Sequence, residues 1–378
     1  MRINKLHIGI RILLHNKVRL LLSTLGIGLS VTIMFMQLGF FNGVNDSQAQ
    51  IAGLLNADIV VLSEQRTNLN KWNFMARTVI AHLAALDGVI KAVPLYKENM
   101  NIKNDIDKTE KFIVVFAFPA TEKVFNLEGF ENSVQLLKTP GTVLYDTGSR
   151  DIFGSMAVGD SIDLNDRNHN IAGHIKMGPN LLNDGMLLMS DGSFFKHSNY
   201  HADPTSMVLL HLDEGVSIED IKSKINKDPN YDLTAYTPEE LYHREVMFMI
   251  KAAPVGIIFG IGLIVGMVIG SIICYQILYN EITDHISQYA TLKAIGYSDR
   301  FLKTVIMEKA IFLAVAGFVP GLLASFWLYE RLEDSKTLLV ALTPERIGII
   351  FALTVLMCIA AGRLALKQVL KTDPADLY

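Results

Sequence analysis

Cysteine is nearly absent: Cys274 and Cys358 are the two in 378 residues, and both fall in apolar runs. The long polar stretch between the chain's first two apolar runs, residues 42–250, has no thiol, so no disulfide framework can hold it. The chain also lacks any segment of the form G-x-x-x-x-G-K-[ST], the backbone cradle and lysine that hold nucleotide phosphates. No nucleotide or Mg site is therefore expected in this chain. Charge of one sign is not in excess either. Lys and Arg number 34 against 38 Asp and Glu, without a basic stripe or an acidic tail, which removes nucleic acid from the expected partners. No long repeat and no low-complexity linker is present.

Catalytic and metal sets are equally sparse. His197 and His201 are spaced i, i+4, but HSNYH is a poor helix and no third ligand is evident, so surface or packing roles are expected. Gly159-Asp160-Ser161 is similar to the opening of GDS-type lipases, yet the only Asp-x-x-His, Asp166 to His169, follows within a few residues. That spacing suits a hairpin turn better than a hydrolase triad. No catalytic, cofactor or metal residues are assigned.

What the chain has in quantity is apolar length. Half the residues are hydrophobic and the mean hydropathy is positive, as in a chain that exposes apolar surface to lipid. Leu20 to Phe41 is an uncharged run that as a helix extends about 33 Å, enough for one span. It is too long for a signal-peptide core and has no small-x-small cleavage site, so it reads as a retained anchor. Residues 251–280 and 310–329 make two further spans. Residues 347–366 make a fourth, with Arg363 able to snorkel from its end. The first 19 residues carry Arg2, Lys5, Arg11, Lys17 and Arg19 and no acidic residue, which predicts a cytoplasmic N-terminus by the positive-inside rule.

The expected fold is therefore an α-helical integral membrane protein with four transmembrane helices and a large α+β periplasmic domain, residues 42–250, between the first and second. Residues 1–19 form a cytoplasmic amphipathic helix on the membrane surface. Residues 281–309 are a cytoplasmic segment, 330–346 a periplasmic loop and 367–378 a cytoplasmic tail. Within the large domain the better strands are 57–63, 111–118, 170–176 and 206–212, and the better helices 76–86 and 217–225. Residues 64–75 lack periodicity and read as an exposed loop. Gly262, Gly266 and Gly270 recur every four residues in the second span, and Gly317 with Gly321 in the third. Such faces let helix backbones approach closely, either within one chain or across a dimer seam. Pro254 and Pro320 are expected to kink their helices.

The segment 281–309 is pressed between two spans. Ile282, Ile286, Tyr289, Leu292 and Ile295 follow the three- and four-residue steps of one helical face, and Gly296 stands where a left-handed cap is needed. Its run Gln288-Tyr289-Ala290-Thr291-Leu292-Lys293-Ala294-Ile295-Gly296-Tyr297 resembles the coupling segment of FtsX/MacB-type ABC permeases, and most closely that of the DevC exporter permeases. Leu55-Asn56-Ala57-Asp58-Ile59-Val60, Asp151-Ile152-Phe153-Gly154 and Thr372-Asp373-Pro374-Ala375-Asp376 add to the resemblance. One departure is Gln288, where relatives commonly carry Glu.

The resemblance implies the permease subunit of a tripartite-type ABC exporter in the bacterial inner membrane. It would transmit force from a separate ABC ATPase, which binds ATP and Mg, to its own periplasmic domain. Partners implied are a second copy of the chain, a membrane-fusion adaptor, a TolC-like outer-membrane protein and membrane lipid. Ile286, Tyr289, Leu292, Lys293 and Gly296 would couple to the ATPase, and Glu308 would brace the coupling helix. A LolC-like lipoprotein-release subunit, an FtsX-like regulator and, from another class, a membrane receptor with a periplasmic sensing domain remain alternatives.

Overall fold

The structure is a computed structural model, and it describes residues 17–71, 73–103, 109–178, 180, 182–197, 204–252, 254–287, 295, 299–334 and 342–371. In chain order the elements are α1 (Lys17–Leu54), β1 (Ile59–Ser63), β2 (Met75–Ala76), α2 (Thr78–Ala84), β3 (Val89–Lys103), β4 (Glu110–Phe118), α3 (Phe130–Val134) and β5 (Thr142–Asp146). There follow β6 (Ser161–Leu164), β7 (Arg167–Ile175), β8 (Met186–Ser190), α4 (Asp191–His197), β9 (Pro204–Thr205), β10 (Met207–Leu212), α5 (Ile218–Asn226), β11 (Leu233–Tyr236) and α6 (Pro238–Ala252). The last three are α7 (Val255–Asp284), α8 (Asp299–Asp334) and α9 (Pro344–Lys371). The chain divides into two compact units, 1–42 with 255–331 and 340–378, and 43–254 with 332–339.

Four described helices of the first unit are long and apolar enough to cross a membrane: α1, α7, α8 and α9. Their small residues set how closely they pack. A Cβ on Gly321 would lie 2.7 Å from the Gly28 carbonyl oxygen, and one on Gly317 would lie 2.5 Å from Ile27. The α1 and α8 backbones therefore touch directly, and the Thr32 hydroxyl donates to the Gly321 carbonyl across the contact at 3.2 Å. Three of the α7 glycines face α1 and α9: Gly262 meets Gln37, Gly266 meets Met34 and Ile33, and Gly270 meets Met357 and Ser30. These are contacts within one chain, the first of the two readings that the four-residue repeat allows. The opposite side of α7 exposes Ile257, Ile261, Ile264, Val268 and Ile272, as a lipid-facing surface should. Helix α8 runs on through Pro320, while Pro254 stands between the ends of α6 and α7.

The second unit is α+β. Its nine-stranded sheet has the order β11-β1-β10-β3-β4-β8-β5-β7-β6, and β6 also pairs with β3. The strands from β3 to β6 thus close into a ring, and the first four form an open flap. The 15-residue β3 belongs to both: Val89 to Leu95 pairs with β10, and Tyr96 to Lys103 pairs with β4. Period-two alternation in β3 and β4 sends Tyr96, Met100, Ile102, Ile113 and Val115 into one core. Val93, Leu95, Val114 and Phe116 go into the other, beneath Ile51 of α1, Leu55 just after it and Leu241 of α6. Helices α2 and α5 cover the flap through Val79, Leu83, Ile221 and Ile225. Ser217 caps α5 by accepting from the Asp220 N–H. Asp166 does sit in a hairpin turn: Asn165 and Asp166 have φ of 49° and 63° and join β6 to β7, the left-handed pair of a tight two-residue turn.

The stretch 64–75, expected as an exposed loop, is partly interior. Arg66, Asn68, Leu69 and Met75 are buried. The Arg66 guanidinium explains this by donating to the carbonyls of Asn68, Leu69 and Ser206. These bonds replace the water that a periodicity-free polar segment would otherwise need.

Candidate functional site

Among the described residues, two of the side-chain constellations that combine burial with charge span several elements, one in each unit. In the membrane unit the first is built from helix ends. Glu281 lies one turn before the end of α7, Lys309 lies in the apolar part of α8, and Arg19 lies in the first turn of α1. The Lys309 ammonium is fully buried and donates to Glu281 Oε1 at 3.0 Å. Arg19 reaches Glu281 Oε2 at 3.5 Å and Asp284 Oδ2 at 2.7 Å. His285 Nε2 stands 3.6 Å from Glu281. Ile282, Val305, Ile306 and Ala310 are buried around the pair, which keeps water away and strengthens each bond.

Such a pair is costly to desolvate and costlier to break, so it acts as a joint that fixes its helices' register. Glu281 and Lys309 are also the first and last residues of the segment expected to carry coupling. The ion pair closes that segment at its base and ties it, through Arg19, to α1.

Of the residues assigned to coupling, Ile286 is half-buried just after α7. Tyr289, Leu292, Lys293 and Gly296 lie outside the described residues. Glu308 is half-buried, and its neighbour Lys309 bonds to α7. A sequence signal for Lys309 existed: Val305, Lys309 and Leu313 fall at four-residue steps on the inward face of α8, all buried. A lysine there needs an acid. Gly262, Gly266, Gly270, Gly317 and Gly321 all lie at helix contacts.

The second constellation is in the periplasmic-type unit. Glu245 of α6 is fully buried, and its Oε2 accepts from Gln48 Nε2 of α1 at 2.6 Å and from the Leu69 N–H at 3.0 Å. Gln48 Oε1 accepts from Asn70 Nδ2 at 3.0 Å, and Asn70 Oδ1 accepts from Lys97 Nζ at 2.6 Å. Arg244 donates to the Arg66 carbonyl and lies over the Tyr236 ring, 4.8 Å from its centroid.

Burial, opposed by Glu245, brings Arg66 down to about 10. Burial and then the Arg66 charge bring Lys97 down to about 7. Burial raises Glu245 against the hydrogen bonds it accepts. Beside Lys97, Glu98 is pushed up to about 7 by burial. A cleft of about 320 Å³ is lined by Gln48, Asn70, Lys71, Phe74, Lys97 and Glu98, among others. Sequence reasoning missed this set, because its members come from α1, the 64–75 stretch, β3 and α6 and meet only in the fold. Among the described residues no three His, Cys, Asp or Glu side chains converge as a metal site. The His197 side chain and all of His201 lie outside those described.

Comparison with known protein families agrees with the architecture. The MacB-like periplasmic core domain family matches residues 20–228, and the FtsX-like permease C-terminal family matches residues 246–374. Among solved structures, the periplasmic region of MacB from Actinobacillus actinomycetemcomitans is similar at 8% identity and a TM-score of 0.35, over 51% of this chain and 94% of that one. The extracellular domain of the noncanonical ABC-type transporter YknZ from Gram-positive bacteria is similar at 11% identity and a TM-score of 0.34, over 48% of this chain and 100% of that one. A comparison with curated proteins finds no match. With one family covering more than half the chain and the other most of the remainder, and with four apolar helices flanking an α+β domain, this chain belongs to the FtsX/MacB-type family of ABC transporter permease subunits.

Proposed function

We propose that this multi-pass permease is the force-transmitting subunit of a DevC-like exporter of the tripartite type, driven by ATP hydrolysis on a separate ABC ATPase. The observation that carries the reading is the buried Glu281–Lys309 bond of 3.0 Å, with Arg19 beside it. A push on the loop between α7 and α8 meets a closed base, so it moves both helices and α1 together instead of spreading into the loop. Helix α1 and the α6 to α7 connection are the covalent routes from this joint to the outer unit.

On this reading the chain works as a homodimer in a bacterial inner membrane with both termini cytoplasmic, as its five N-terminal cations suggest. Two ATPase subunits with bound ATP and Mg dock on the loop, and a membrane-fusion adaptor and a TolC-like outer-membrane protein complete the path. Tyr289 and Leu292 are its apolar anchors in an ATPase groove, with Ile286 and Gly296 shaping the helix and Lys293 at its polar edge.

The test is co-purification and ATPase activity in one detergent. Tyr289→Ala with Leu292→Ala should leave an inserted, folded protein that recruits its ATPase about thirtyfold less well, the loss expected for about 2 kcal/mol of anchor contacts. Lys293→Ala should do less. Full ATPase recruitment and stimulation by the double variant would remove the coupling role.

A further inference from the structure

The cleft beside β3 has a chemistry that the permease reading does not use. Glu98 is 6% exposed, lines the cleft, and among the described residues its Oε2 has no hydrogen-bond partner. A buried carboxyl left so carries a standing desolvation cost that a bound cation would relieve. Its sequence neighbour Lys97 points to the other face of the strand, its ammonium 5.8 Å from the Phe116 ring centroid and bonded to Asn70 and the Leu69 carbonyl. Lys71 is exposed on the same cleft. The cleft thus offers one acid and two bases on separate walls.

Among the described residues the edge of β3 between them is also available. The Lys97 N–H donates to Ser206 Oγ and the Asn101 N–H to Asn165 Oδ1, each at 2.9 Å. Between these two caps, strand alternation turns the Asn99 N–H and C=O to the same edge, within the cleft. A volume of about 320 Å³ is at the small end of ligand sites. It suits a ligand of few heavy atoms that carries both charges.

We infer that this cleft binds a zwitterion of amino-acid size, its ammonium on the Glu98 carboxylate and its carboxylate on Lys97 and Lys71. A polycation is disfavoured by the two lysines, and a simple anion leaves Glu98 without a partner. Gln48 and Asn70 supply amides for the ligand's remaining polar atoms, and Phe74 supplies an apolar wall.

Calorimetry on the full chain in detergent, with L-glutamine, L-leucine and L-lysine as probes, tests this without any ATPase, so its outcome is separate from the permease reading. At least one probe should give saturable binding, and its N-acetyl derivative, lacking the ammonium, should bind more than about tenfold more weakly, as should the same probe to Glu98→Gln, since each loses a charge-assisted bond. Leu182→Trp, which fills the cleft from an exposed position, should abolish binding with the fold intact. No saturable binding by any probe overturns the inference. So does unchanged affinity in Glu98→Gln, in Leu182→Trp or for the acetylated probe.

Discussion

Replacing Lys309 by Met keeps the length and apolar packing of the side chain and removes only the ammonium. At the 3.0 Å separation from Glu281, the Coulomb attraction at an effective dielectric of 20 is about 5.5 kcal/mol before desolvation is counted. Removing one partner of a buried pair typically costs about 3–5 kcal/mol, because the other charge stays buried. Here Arg19 at 3.5 Å and His285 at 3.6 Å still face Glu281, so the loss should fall near the lower end, about 3 kcal/mol. Glu281→Gln alone should cost a similar amount by stranding a lysine that is fully buried.

The double variant, Glu281→Gln with Lys309→Met, should recover most of the loss, since neither residual group is then a buried unpaired charge. The assay is the thermal unfolding midpoint of the four proteins in one detergent, completed as a double-mutant cycle. Strictly additive single losses, or single variants within about 0.5 kcal/mol of the parent, would refute the reasoning that the pair is a closed joint.

Other outcomes follow from the same geometry. Gly321→Leu should disrupt the α1–α8 contact, since even a Cβ there falls 2.7 Å from a backbone oxygen; a variant as stable as the parent would show that the helices do not touch at Gly28. Glu98, raised by burial from 4.5 to about 7, holds a proton in the folded state that the unfolded chain releases. Its contribution is therefore full below 4.5 and is lost as pH rises to about 7, at most about 3 kcal/mol at 1.36 kcal/mol per unit. Glu98→Gln should flatten that part of the stability profile, and an unchanged slope would exclude Glu98 as its source. With Cys274 and Cys358 replaced, a cysteine at Ser155 should be labelled from outside intact cells and one at Ser287 should not; the reverse pattern would invert the proposed topology.

The membrane architecture was legible in the sequence because lipid imposes a one-dimensional rule. A helix must supply about 20 apolar residues in a row whatever its neighbours do; the runs in α1, α7 and α8 meet it, and that in α9 reaches this length with Arg363 snorkelling from its end. Local rules served in the outer unit too. Ser217 caps α5 through its own backbone neighbours, and the Asp166 turn depends on the residues that form it.

Long-range pairing was decided otherwise. Residues 89–103 carry polar groups at Lys91, Lys97, Glu98, Asn99 and Asn101 and give no strand signal, yet they form the longest strand, because β10, β4 and β6 supply partners from more than a hundred residues of chain. The same holds for the charged sites. A four-residue step marks Lys309 as facing inward, but only the fold brings Glu281 within 3.0 Å and makes the pair a joint. Gln48, Asn70, Lys97 and Glu245 look like surface polar residues in sequence. What makes them a network is the burial of Gln48 and Glu245, which penalises these groups unless others arrive to satisfy them, and burial is a property of tertiary structure alone.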